Sequence, residues 1–203
     1  MAEILIVYYS RFGSTARMAE TAATGVESVA GAESRLRTVP PVSPTSEATS
    51  PAVPDSGPPY AELEDLSACD GLIVGSPTRF ANMAAPMKHF LDTTTSLWLN
   101  GTLAGRPAAC FTSTGSLHGG QETTLITMML PLLHQGMYLV GLPYTEPDLA
   151  TTTSGGTPYG ASHVAGSDAD QPETDEEARL TRALGRRVAT LARDLERVEH
   201  GRG

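Results

Sequence analysis

The chain has 203 residues, 40% of them hydrophobic, which is enough for one α/β domain with a sizeable core. Its 14 Lys and Arg stand against 23 Asp and Glu, a formal net charge of −9 with Lys88 the sole lysine, which excludes a nucleic-acid binder that draws its affinity from cationic side chains. No polybasic cluster suits an anionic membrane, no apolar run reaches the length of a span, and Met1, Ala2 and Glu3 lead into an apolar run without a signal peptide, so a cytoplasmic protein is expected.

Ile4, Leu5, Ile6 and Val7 form an apolar run without helical periodicity, which predicts a parallel strand buried on both faces. The run leads to Ser10, Arg11, Phe12, Gly13, Ser14 and Thr15. A helical pattern of Met18, Ala19, Ala22, Ala23, Val26 and Val29 follows and ends near Gly31. A strand, a hydroxyl-rich turn and a helix N-terminus together make an anion site, because the first-turn N–H groups are unpaired and the helix dipole favours negative charge there. Ser10, Ser14 and Thr15 add hydroxyl donors, and Gly13 permits a tight turn. The chain has neither G-x-x-x-x-G-K-[ST] nor G-x-G-x-x-G, which excludes an NTPase P-loop and a dinucleotide fingerprint. Two readings remain: a loop for a phosphate monoester of the flavodoxin FMN type, or a plain connection whose Ser and Thr cap the helix.

Residues 33–39 alternate around Leu36 and Val39 and predict a second strand. Residues 40–59 are rich in Pro, Ser and Thr, cannot hold a helix, and predict a surface loop inserted within the domain. A short helix is expected at 63–69 and a third strand at 71–76, ending in Pro77, Thr78, Arg79, Phe80, Ala81, Asn82 and Met83. Met87, Phe90 and Leu91 mark a helix with Pro86 in its first turn, and residues 97–101 close that segment. The fourth strand, 108–112, runs into Ser113, Thr114, Gly115, Ser116, Leu117, His118 and Gly119. A helix follows through Leu125, Met128, Met129 and Leu132 to His134, with Pro131 predicting a kink or a late break. Residues 138–140 are the fifth strand, and 142–175 a long irregular stretch with a Gly-rich centre.

Ala178, Leu180, Ala183, Leu184, Val188, Leu191, Leu195 and Val198 give a final amphipathic helix, with the acidic run 173–177 as a charge bias at its N-terminus. Cys69 and Cys110 sit in or beside apolar runs and are expected as buried thiols. His163, Asp168 and Asp170 lack metal spacing, and no metal is expected.

These elements predict one domain over residues 1–200, an α/β fold with an open five-stranded parallel sheet in the order 2-1-3-4-5 and helices on both faces. Ligands of such sheets bind outside the carboxyl ends of the strands, at the topological switch point. The polar loops 10–15, 77–82 and 113–119 converge there.

Four stretches, G-S-P-T-R-F-A-N-M, T-S-T-G-S-L-H-G-G-Q-E-T-T, L-L-H-Q-G-M and G-G-T-P-Y-G-A-S, closely resemble the WrbA family of FMN-dependent NAD(P)H:quinone oxidoreductases. They stand in the family's order, and the resemblance covers nearly the whole chain. It implies a flavodoxin-like fold, FMN as cofactor, NADH or NADPH as donor and a quinone as two-electron acceptor in a ping-pong cycle. It also implies a homotetramer built as a dimer of dimers, with no direct nucleic-acid partner and no membrane. By the same resemblance, Ser10, Arg11, Phe12, Gly13, Ser14 and Thr15 form the phosphate loop. Pro77, Thr78, Arg79, Phe80 and Asn82 lie along the isoalloxazine ring, and Ser113, Thr114, Gly115, Ser116, Leu117, His118 and Gly119 make the third flavin loop. His134 matches a flavin-contacting histidine, and Trp98 a substrate-pocket tryptophan beside the flavin of a neighbouring subunit; these two would be catalytic. Phe12, Phe80 and Trp98 would face the substrate. Phe12 stands where the family often has tyrosine, and Ala81 where it usually has glycine. A one-electron carrier of the flavodoxin type and a repressor-associated interaction protein are the competing readings. The long late loop and the apolar Phe80 and Trp98 favour a two-electron pocket over the carrier.

Overall fold

The computed structural model describes residues 1–42, 54 and 56–200, so most of the expected 40–59 loop lies outside the described residues. The first half of the chain runs β1 (Ala2–Tyr8), α1 (Ser14–Glu27), β2 (Ala32–Thr38), α2 (Leu63–Ala68), β3 (Gly71–Arg79), β4 (Asn82–Met83), α3 (Ala85–Asp92) and α4 (Thr95–Leu99). The second half runs β5 (Pro107–Thr114), α5 (Gln121–His134), β6 (Tyr138–Leu139), α6 (Asp148–Thr151), β7 (Ala161–Val164) and α7 (Asp175–His200).

The sheet has the order β2-β1-β3-β5-β6, and each of these pairings is parallel. Numbered by position, this is the expected 2-1-3-4-5 order. The unbroken apolar run of β1 has a direct explanation. A strand's side chains alternate between faces, and both faces of this sheet are covered. Ile4 and Ile6 join the core against α1 and α7, whereas Leu5 and Val7 join the core with Met87, Phe90, Leu125 and Met128 on the opposite side. On the first side α1 and α7 approach closely. A Cβ on Gly25 would fall 2.0 Å from the Arg182 carbonyl oxygen, and one on Gly185 would fall 2.2 Å from that of Ala22.

The fifth position of the sheet differs from the expected single strand at 138–140. It is filled by two short strands on the same edge of β5. Tyr138–Leu139 pairs with Pro107 and Ala108, and Ala161–Val164 pairs with residues 111–114. The stretch expected to be irregular therefore holds α6 and a strand that completes the sheet. Ala161, Ser162, His163 and Val164 carry no apolar alternation, so β7 owes its conformation to pairing with β5 rather than to its own pattern. Pro131 falls in the last turn of α5, which stops at His134, a late break as expected.

Residues 78–83, expected as a loop, form a tight hairpin in which Arg79 pairs with Asn82. Its two central residues are Phe80 (φ 51°) and Ala81 (φ 62°), both left-handed. Such a turn follows the sheet's twist but disfavours residues with a Cβ, by roughly 1–2 kcal/mol each. Ala81→Gly is expected to stabilise the fold by roughly 0.5–1 kcal/mol, the strain relief being partly offset by glycine's greater unfolded-state freedom. A denaturant melt of the variant beside the parent checks this; an unchanged or lower midpoint would show that the turn is unstrained.

Candidate functional site

A cleft of about 160 Å³ opens at the carboxyl ends of β1, β3 and β5. The first loop contributes Ser10, Arg11, Phe12, Ser14 and Thr15, the second Pro77, Thr78 and Arg79, and the third Ser113, Thr114 and Gly115. A fourth segment, which the sequence did not single out, adds Ala165, Gly166, Ser167 and Ala169.

The first loop is built as an anion cradle. Gly13 (φ 92°) sits at the N-cap of α1, and no side chain caps that helix. The reading of this loop as a mere helix cap therefore does not hold. The Gly13 N–H donates to Ser10 Oγ at 3.1 Å, which leaves the Ser10 hydroxyl proton free to donate elsewhere. Ser14 and Thr15 are buried at the helix start. The first turn carries no acidic residue. Arg17 stands nearby, its Nη2 donating to Ser14 Oγ at 3.3 Å. Uncapped N–H groups, the free Ser10 hydroxyl proton and a guanidinium suit a phosphate dianion, and Arg11 and Arg79 add positive charge to the lining. Arg11 also stacks over the exposed Phe12 ring, 5.0 Å from its centroid.

Buried hydroxyls seat the second loop. Thr112 Oγ1 donates to the Ser76 carbonyl at 2.8 Å, and the Thr78 hydroxyl lies 3.2 Å from those of Thr112 and Thr124. Ser76 Oγ accepts from the Ala84 N–H at 2.8 Å and so ties down the far side of the hairpin. Arg79 Nη1 donates to the Thr78 carbonyl at 2.7 Å. Phe80, at the hairpin tip, is fully exposed, and Asn82 spends its Oδ1 on the Met83 N–H at 2.8 Å; neither lines the cleft.

The third loop divides. Ser113, Thr114 and Gly115 face the cleft, whereas Leu117 and His118 line a neighbouring hollow with Gln121, Thr152 and Ser154. Ser116 makes the turn between them, its carbonyl accepting from Thr114 Oγ1 at 2.9 Å and from the Gly119 N–H at 3.0 Å.

Trp98 and His134 are brought to each other and not to the cleft of the same chain. Their rings stack at 5.3 Å and 25° in a separate hollow with Leu91, Thr95 and Leu130. The reason is helical geometry. α5 begins just after the third loop and runs 14 residues to His134, which places the two ends about 20 Å apart.

Glu177, expected as part of a charge bias, does much more. Thr174 and Glu177 form a capping box at the start of α7, with the Thr174 N–H donating to Oε2 at 2.8 Å and the Glu177 N–H to Thr174 Oγ1 at 3.2 Å. The T-x-x-E spacing at 174–177 was the available signal for it. The Glu177 side chain is fully buried against His163, whose Nδ1 lies 2.8 Å from Oε2. Burial pushes this carboxyl up, but His163, the Thr174 and Val164 N–H groups and Ser154 outweigh it and hold the group at about 2. Cys69 and Cys110 are free and buried as expected, and burial raises both thiols, Cys69 to about 11. Among the described residues no cluster of ligating side chains suits a metal, and no helix is long and apolar enough to cross a membrane.

A doubly wound parallel sheet with an uncapped, hydroxyl-lined loop at its switch point defines the flavodoxin-like class of mononucleotide-binding proteins. A family model described as NADPH-dependent FMN reductase matches residues 4–144. The chain belongs to that family. It is 43% identical over 202 residues to proteins named NAD(P)H dehydrogenase (quinone) from Syntrophobacter fumaroxidans and Aromatoleum aromaticum, with 96% of this chain and 99% and 98% of theirs covered. Among solved structures, a WrbA-like flavodoxin from Agrobacterium tumefaciens superposes with a TM-score of 0.69 at 24% identity, covering 96% of this chain and 99% of that one. An archaeal flavodoxin gives 0.62 at 20% identity, covering 94% and 99%. These two share the fold.

Proposed function

We propose that this chain is an FMN-dependent NAD(P)H:quinone oxidoreductase that reduces quinones to hydroquinones. The observation that carries the reading is the uncapped start of α1, with the hydroxyls of Ser10, Ser14 and Thr15 around it, at the switch point of a chain from an FMN reductase family. FMN supplies hydride and electron transfer when bound. The protein's own part is to bind, orient and shield. The Ser10 and Thr15 hydroxyls and the first-turn N–H groups, that of Ser14 among them, would hold the phosphate. Thr78 and Arg79 line the cleft where the ring would lie, and Arg79 would offer positive charge where negative charge develops. Phe12, an exposed aromatic in the cleft lining, would wall planar substrates, while Phe80 stands at the exposed hairpin tip outside the cleft. Donor and acceptor take turns against the same walls, which gives a ping-pong order.

Trp98 and His134 complete the site from a neighbouring copy in a homotetramer. Support comes from their separation from the cleft in one chain and from the exposed apolar residues around them, Leu99, Leu130 and Leu133. There Trp98 walls the substrate, and His134 passes a proton to the quinone oxygen. The two free thiols suit a reducing, cytoplasmic setting.

An anaerobic absorbance titration tests the reading. NADH is expected to bleach the flavin band of the FMN-reconstituted protein, and benzoquinone to restore it. FMN binding without reduction would refute the oxidoreductase. Trp98→Ala is expected to lower quinone turnover about two- to tenfold while FMN content stays near that of the parent, since an aromatic wall carries about 0.5–1.5 kcal/mol of stacking. Steady-state kinetics beside flavin quantitation check this; normal quinone kinetics would make Trp98 a packing residue only.

A further inference from the structure

Residues 165–169 run along one side of the cleft as a strap between the first and third loops. At one end the Ala165 N–H donates to the Thr114 carbonyl of the third loop at 2.8 Å. At the other the Ala169 carbonyl accepts from Ser14 Oγ in the phosphate loop at 3.4 Å. The span therefore lies on the side of the cleft where the first and third loops meet, away from the second. Apolar packing does little to hold it, because Ala165 is buried while Ser167 and Asp168 are exposed.

Polar links set its position instead. The Gln171 N–H closes the strap onto the Ala165 carbonyl at 3.0 Å, and the Ala169 N–H turns back to the Gly166 carbonyl at 3.2 Å. The Gln171 carbonyl lies 3.1 Å from His163 Nε2, which must be the donor because a carbonyl only accepts. The other His163 nitrogen faces Glu177, and both side chains are fully buried. Glu177 Oε1 also accepts from Ser154 Oγ at 2.8 Å, the Gly155 N–H at 2.7 Å and the Val164 N–H at 3.0 Å. One carboxylate thus gathers the 154–155 turn, β7 and the start of α7, and reaches the strap through one imidazole.

We propose that residues 165–169 are a fourth wall of the cleft, contacting the phosphate of bound FMN, and that the buried His163–Glu177 pair positions this wall. The proposal rests on the FMN reading of the cleft. Glu177 and His163 act through the strap and touch no ligand themselves.

The test compares FMN with riboflavin, which has the same ring and no phosphate. Both are titrated against the full-length parent and Glu177→Gln, with folding checked by circular dichroism. Glu177→Gln is expected to weaken FMN binding about tenfold, the equivalent of one hydrogen bond to a charged group, and to leave riboflavin affinity within about twofold. Equal loss for both ligands, or unchanged FMN affinity, overturns the proposal. If Glu177→Gln does not fold, hydrogen exchange on the parent decides. FMN, and not riboflavin, is expected to slow exchange of the amides at 166–170; equal or absent protection overturns the proposal. A parent chain that binds neither flavin overturns the FMN reading itself and the proposal with it, whereas failure of the proposal alone leaves parent FMN binding intact.

Discussion

Ser10→Ala combined with Thr15→Val is expected to weaken FMN binding by about a hundredfold or more and to leave the fold intact. A hydroxyl that donates to a charged phosphate contributes roughly 1.5–3 kcal/mol, so the loss of two is at least about 3 kcal/mol. The geometry supports both donors. Ser10 Oγ already accepts the Gly13 N–H, which fixes the oxygen and leaves its proton to point outward. Thr15 lies in the first turn of α1, and valine keeps its shape there. The cost to stability is small, within about 1 kcal/mol, because neither change opens a cavity. A fluorescence titration with FMN, paired with a denaturant melt of the apoprotein, separates the two effects. Unchanged affinity would reduce the first loop to a connection between β1 and α1, and a collapsed melt would make its hydroxyls structural.

Acidification from about pH 4.5 to about pH 2 is expected to remove roughly 3 kcal/mol of stability through Glu177 alone. Its carboxyl is held at about 2 in the fold, against an ordinary value of 4.5. A folded value below the unfolded one means that the native state binds fewer protons. The contribution is therefore complete above 4.5 and is lost as the pH falls through 2. Each unit of difference is worth about 1.4 kcal/mol, and the carboxylate is fully buried, so solvent screens it little. Asp65 acts with the same sign, its burial outweighed by the Glu62 N–H and by Arg37 and Arg35. Glu173 acts against it, because burial raises that carboxyl. The clean measurement is the stability gap between the parent and Glu177→Gln across this window. The gap is expected to shrink as the pH falls, and a constant gap would mean that Glu177 is not ionised in the fold.

The alternating destinations of Ile4, Leu5, Ile6 and Val7 show why β1 was legible. A strand covered on both faces has to be apolar at every position, and that demand is written in consecutive residues. The first loop was legible for the same reason, since its donors are neighbours in the chain and the helix they precede has a clear period. The 78–83 hairpin was not. Phe80 and Ala81 take left-handed conformations that ordinarily call for glycine or asparagine, so no local signal marks the turn. β7 escaped too, because Ser162 and His163 interrupt any apolar pattern and only β5 makes that segment a strand.

Local periodicity and contiguous loops were thus enough to determine β1, β2, β3 and β5, the helices α1, α5 and α7, their order and the three loops at the switch point, since each depends on residues within one or two turns of each other. Tertiary structure alone decided the split fifth position of the sheet, the strap along one side of the cleft and the parting of Trp98 and His134 from it. Ser14 meets Ala169 across 155 positions, and His163 meets Glu177 across 14. Contacts of that kind leave no period in the chain, because they exist only once the sheet and its helices have brought distant segments to the same edge.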